Sequence, residues 1–220
     1  MSAQVLFNKL KESGIIGATG QVYFELHGLK TQVHDSSIVG SVIQEWLKAF
    51  MQKNGIAHRM KKNSQEFPDF LMHAANDQTD ILEVKCFKKS PNFDVANFMA
   101  YCRSLTTHPY RLDADYLIFE YEEKETGIVI KNMWLKKVWE ICSASERSPL
   151  KIQWKQGVAF NIRPATWYAK KPKYAVFTSR LEFVQAIKKV LDTSATSAGL
   201  QKGWLATVKS GYLSQTGQDC

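Results

Sequence analysis

Pro68-Asp69 followed by Glu83-Val84-Lys85 sets two carboxylates and one amine at a spacing that suits a metal-dependent phosphodiesterase. A phosphodiester repels nucleophiles with its own charge, and its leaving oxygen must be stabilised as it departs; a divalent cation answers both needs. Mg2+ prefers oxygen ligands and is commonly held by one or two carboxylates, with water and substrate phosphate completing the shell, so Asp69 and Glu83 suffice as metal ligands. Lys85 beside them suits a catalytic amine that holds the attacking water and stabilises charge developing on the phosphorane.

The elements that must position these groups are legible from the surrounding residues. Strand side chains alternate faces, so in Ile81-Leu82-Glu83-Val84-Lys85-Cys86-Phe87 the residues Glu83 and Lys85 project together while Leu82 and Val84 face a core. Between Asp69 and Glu83 lie 13 residues. That is room for a short strand from Asp69 to His73, a polar turn over residues 74–80 and the return strand. Charges within an apolar strand are costly unless paired or bound to metal; the bland alternative is a solvent-facing Glu and Lys on a half-exposed strand. Upstream, Ile38, Val42, Trp46, Leu47, Phe50 and Met51 recur at helical spacing until Asn54-Gly55 stops the run. Glu45 flanks that stripe and is a candidate to assist the site, with an ordinary surface glutamate as the alternative.

The remaining pattern predicts helices over residues 5–13, 95–105, 135–142 and 181–191, with Asp94 the expected cap of the second and Ser179 of the last. Strands are expected over 21–26, 115–121 and 127–131, with a hairpin over 151–163 turning at Gln156-Gly157. This alternation gives an α/β (α+β) class with a mixed central sheet flanked by helices. Residues 1–192 are expected to form one domain, followed by a polar segment, 193–220, with no assigned role. Arg163, Lys170, Lys171 and Lys173 fall where basic and aromatic residues interleave, and are the expected DNA contacts, the lysines to phosphate rather than to bases.

Composition narrows the partners. The 220 residues carry 29 Lys+Arg against 21 Asp+Glu, a net +8 that favours a polyanion. Histidines never reach His-x-x-x-His spacing and no glycine-rich phosphate loop is present, so neither a histidine metal site nor a nucleotide cradle is indicated. The four cysteines are widely spaced, which points to reduced thiols. No apolar run is long enough to span a bilayer and the first residues lack the regions of a signal peptide, so a cytoplasmic location is expected.

With Pro68-Asp69 and Glu83-Val84-Lys85 on one hairpin, the chain resembles the PD-(D/E)XK nucleases, the superfamily of most type II restriction endonucleases. More narrowly it resembles the NgoBV/NlaIV group, in Gly14 to Gly20, in Gln44 to Lys48, in the 68–85 hairpin, in Lys137 to Ile141 and from Pro149 to Pro164. The resemblance implies a restriction-endonuclease-like core, Mg2+-dependent cleavage of double-stranded DNA at a short palindrome, GGNNCC for this group, and a homodimer that cuts both strands. A two-fold site is most simply read by a two-fold protein. Asp69 and Glu83 carry over as metal ligands and Lys85 as the catalytic lysine. A structure-specific repair nuclease and a DNA-binding protein without catalysis are the rival classes.

Overall fold

Why the charged hairpin sits where it does follows from how two helices and a sheet bury their apolar faces. The structure, a computed structural model, describes residues 2–61, 66–125, 127–194, 200 and 202–220. The chain divides into two compact units, one of residues 1–90 and 115–136, the other of residues 91–114 and 137–220. In chain order the elements are α1 (Ala3–Glu12), β1 (Thr19–Gly20), β2 (Tyr23–Leu26), β3 (Leu29–Gln32), α2 (Val39–Lys53), β4 (Phe70–Leu71), β5 (Ile81–Phe87), β6 (Ala96–Asn97), α3 (Phe98–Thr107), β7 (Asp115–Lys124), β8 (Gly127–Lys137), β9 (Ile152–Lys155), β10 (Val158–Ile162), α4 (Arg180–Thr193) and α5 (Trp204–Thr216).

The first unit is built on a mixed sheet of order β1-β8-β7-β5-β4. β5 runs parallel to β7, from Leu82 opposite Asp115 to Phe87 opposite Glu120, and antiparallel to β4. Parallel neighbours need a long crossover, and residues 91–114 of the second unit supply it. α2 buries Val39, Ile43, Leu47 and Met51, a four-residue repeat that lines one helix face. That face joins Leu82, Val84, Leu117 and Phe119 in one core cluster, as the alternation of β5 requires. At the start of β8, Gly127 has φ +137°, and a Cβ there would lie 2.1 Å from the Gly20 carbonyl oxygen. Only glycine lets β1 close onto β8 at that point.

Among its described residues the second unit holds a sheet of order β6-β10-β9 and the helices α3, α4 and α5. The hairpin of β9 and β10 turns at Gln156-Gly157 as the sequence predicts. α4 begins under its expected cap, with the Glu182 N–H donating to Ser179 Oγ at 3.2 Å. α3 starts later than expected: Asn97, not Asp94, caps it by accepting the Ala100 N–H at 3.0 Å, and Asp94 pairs with Arg163 instead. The helix expected over 135–142 does not form. β8 continues to Lys137 and only a single 3-10 turn, Trp139–Ile141, follows. Val138 and Ile141 are both buried at a spacing of three, which an α-helix and a 3-10 turn share, and the continuation of β8 to Lys137 leaves room only for the turn.

α5 occupies the segment that carried no prediction. Trp204, Val208 and Tyr212 are buried along one face, and the Trp204 indole donates to the Cys102 carbonyl at 2.8 Å. Where α5 crosses Pro109, a Cβ on Gly211 would stand 3.3 Å from the proline ring, so the bare backbone allows the close approach. Residues 195–199 and 201, within the polar stretch expected after Thr193, lie outside the described residues. The four cysteines are free thiols, and burial pushes Cys86 up to about 12. Among the described residues, no helix is long and apolar enough to cross a membrane.

Candidate active site

The hairpin that carries the acidic pair is shorter and more tightly tied than its sequence suggests. The strand expected from Asp69 to His73 contracts to Phe70–Leu71, because the chain turns early: the Met72 N–H donates to the Asp80 carbonyl at 2.8 Å. His73 Nδ1 then accepts the N–H groups of Ala75 and Asn76 at 3.1 and 2.9 Å, so the imidazole is a turn cap. Arg59 exchanges two 2.8 Å backbone bonds with Leu71, and its guanidinium reaches the His73 carbonyl at 3.1 Å and Asp77 at 2.6 Å. The turn is thereby fixed to the rest of the first unit.

Against that frame the Val84 N–H donates to Asp69 Oδ2 at 2.7 Å, which anchors the Asp69 carboxylate on β5 between Glu83 and Lys85. Lys85 Nζ stands 2.8 Å from Glu83 Oε1. Glu83 is only 8% exposed, and its second oxygen, Oε2, is buried without a hydrogen-bond partner. Burial, and then the charge of Glu83, push the Asp69 carboxyl up to about 6, against the Val84 N–H, Lys85 and a hydrogen bond from Gln44 that favour the ionised form. Two carboxylates repelling one another out of water, with one lysine to offset them, leave negative charge that a cation would neutralise. No group of three or more His, Cys, Asp or Glu with metal-binding geometry occurs among the described residues. A pair of carboxylates, one of them with a buried unsatisfied oxygen, fits a hard divalent cation that keeps water and substrate oxygens in its shell.

The other candidates are placed differently. Glu45 is not brought to this pair: its side chain is 70% exposed and lies 3.6 Å from Lys48. Its neighbour Gln44 is the α2 residue that reaches Asp69. Ile43 and Leu47 face the sheet, so Gln44 sits on the edge of the buried stripe and Glu45 about 100° further round. Arg163 belongs to the second unit and is paired with Asp94. Lys170, Lys171 and Lys173 are exposed, and Lys173 lies 3.4 Å from Glu146. Lys171 and Lys173 line a hollow of about 410 Å³ together with Lys151, a residue the sequence did not single out. Lys151 donates to the Pro164 carbonyl at 2.8 Å, and its amine is lowered by burial and then by the charge of Arg163. Three amines around one hollow suit an anion.

The fold is that of a restriction endonuclease: it superposes on a solved structure described as NlaIV restriction endonuclease with a TM-score of 0.93 and 34% identity, over 100% of this chain and 92% of that one. The type II restriction enzyme NlaIV of Neisseria lactamica is 38% identical over 196 residues, 87% of this chain and 81% of the relative. The type II restriction enzyme NgoBV of Neisseria gonorrhoeae is 34% identical over 145 residues, 64% of this chain and 82% of that enzyme. The profile of the NgoBV restriction endonuclease family matches residues 1–220, and the chain belongs to that family. It is a type II site-specific deoxyribonuclease, acting on double-stranded DNA.

Proposed function

We propose that the protein is a homodimeric PD-(D/E)XK enzyme of the bacterial cytoplasm that hydrolyses both strands at GGNNCC, with Mg2+ held by Asp69 and Glu83. The observation that carries this reading is the buried, unpartnered Oε2 of Glu83 beside Asp69 and Lys85. When bound, the ion supplies Lewis-acid charge to the phosphoryl oxygens and makes water more acidic. The chain's own part is positional and electrostatic. The Val84 N–H holds Asp69 in place, the Lys85 ammonium offsets charge that grows on the phosphorane, and Arg59 keeps the hairpin turn from shifting. Lys151, Lys170, Lys171 and Lys173 bind phosphate and set register, and their loss weakens binding to all sequences alike.

Digestion of one plasmid of known sequence, with Mg2+ and with Ca2+ in its place, tests this reading. Discrete fragments whose ends map to GGNNCC, formed with Mg2+ alone, are expected. Nicking confined to junctions would instead mark a structure-specific nuclease, and shifted but intact DNA a binding protein.

A further inference from the structure

The hairpin of β2 and β3 is exposed on both faces, and one of those faces is apolar. Residues directly opposite in an antiparallel pair share a face, so Phe24, Thr31, Leu26 and Leu29 form one side, and Tyr23, Gln32, Glu25 and Lys30 the other. Both sides are open, Tyr23 on the polar one at 47%, and on the apolar side Phe24 is 56% exposed, Leu26 67% and Leu29 74%. A two-stranded ribbon with no covered face is marginal in water, so this surface calls for an occupant.

Two observations within the same unit say which occupant. Glu25 and Lys30 stand opposite one another, and the ribbon carries no excess positive charge to meet phosphate, in contrast to the +8 of the whole chain. Beside the ribbon's base, Val42, Ile43, Trp46, Ile128 and Ile130 line an apolar hollow of about 160 Å³, with Trp46 itself left exposed. An apolar cavity of roughly 150 Å³ holds a benzene ring, so this one has room for a single aromatic side chain. One surface therefore bears an apolar arm and an apolar socket, the self-complementary pair that a two-fold contact uses twice and then closes.

We propose that the β2–β3 arm is the dimer clasp: the Phe24, Leu26 and Leu29 face of each copy docks on the Val42–Trp46 hollow of a second copy. The inference rests on the homodimer reading and names its surface. Each arm hides a few hundred Å² of apolar area and each socket less, and the two-fold repeats the contact, which brings the total to roughly 1,000 Å², the low end of specific interfaces.

Light scattering after size exclusion on the full chain, with and without uncleaved GGNNCC duplex in Ca2+, reads the assembly. The wild type is expected at twice its 25.1 kDa mass, and Leu26→Asp with Leu29→Asp at the single-chain mass with an unchanged circular-dichroism spectrum. A second measurement keeps the contact testable if that variant does not fold: Leu26→Cys and Val42→Cys proteins, prepared separately and mixed under mild oxidation, should cross-link to each other above the wild-type background. A wild-type dimer that survives both aspartates, or Leu26→Cys linking only to itself, overturns the clasp while leaving the dimer intact. A wild type that stays monomeric even on DNA overturns the homodimer and the clasp together.

Discussion

Asp113 in the second unit and Glu83 in the first are both carboxylates held among packed side chains, and they are satisfied to different degrees. Asp113 accepts Arg180 Nε at 2.6 Å on one oxygen and the Tyr212 hydroxyl at 2.5 Å on the other. Arg180 in turn lies over the rings of Trp139 and Tyr212, at 5.1 and 5.2 Å from their centroids. Every part of that network answers another, and burial with the Asp113 hydrogen bond pushes the Tyr212 phenol up. Glu83 has Lys85 on one oxygen and nothing on the other, with a second carboxylate beside it. A complete network ties α4, α5 and the Pro109–Asp113 turn together; an incomplete one leaves repulsion that the proposed cation would relieve.

The contrast is open to direct attack by mutation. The largest effect is expected at the acidic pair and its lysine: Asp69→Ala, Glu83→Ala and Lys85→Ala should each lower single-turnover cleavage by about 10³-fold or more while duplex binding in Ca2+ survives. Full activity in any of the three refutes its assignment. Asp113→Ala should instead leave the chemistry alone and cost about 1–3 kcal/mol of stability in a denaturant titration, since it strands Arg180 and Tyr212.

Asp69→Asn should go the other way. The native carboxyl sits at about 6 against 3.8 when unperturbed, so between those values the folded chain binds the proton more tightly than the unfolded one. Stability is then lost as pH rises through that window. Removing the charge should stabilise the metal-free protein by about 1–3 kcal/mol at pH 7.5 and by nothing at pH 4. An equal effect at both pH values would mean that the charge is not what strains the site.

Smaller changes should follow away from the buried groups. Lys171→Ala with Lys173→Ala should reduce the slope of log affinity against log salt by about 2 with the cleavage step unchanged, as expected for phosphate contacts. Least of all, Glu45→Ala should leave cleavage within about twofold of wild type, as befits an exposed side chain, whereas Gln44→Ala should slow it by about tenfold through Asp69.

What could be read from residues alone divides along similar lines. Glu83 and Lys85 were conspicuous because two charges interrupt an apolar strand, where their presence demands a reason. Gln44 carries no such sign: an amide beside a charged residue on a helix costs little wherever it points, so pattern alone favours its charged neighbour Glu45. Helix α5 was hidden by composition, since Gly203, Ser210 and Gly211 mask the repeat of Trp204, Val208 and Tyr212 that its packing reveals. The Val138–Ile141 pair carried a spacing shared by α and 3-10 geometry, and the continuation of β8 to Lys137 decided between them. Nor does alternation in β2 and β3 reveal that neither face is covered, since the same pattern would serve a strand packed on one side.

The sharing of one cation by Asp69 and Glu83 is most directly tested with Mn2+ as a spectroscopic probe, following free ion by electron paramagnetic resonance as protein and cleavage-resistant duplex are added. The wild type should take up Mn2+, Asp69→Ala and Glu83→Ala should each lose most of that uptake, and Lys85→Ala should keep it. Undiminished uptake in both carboxylate variants would contradict a metal site at this pair.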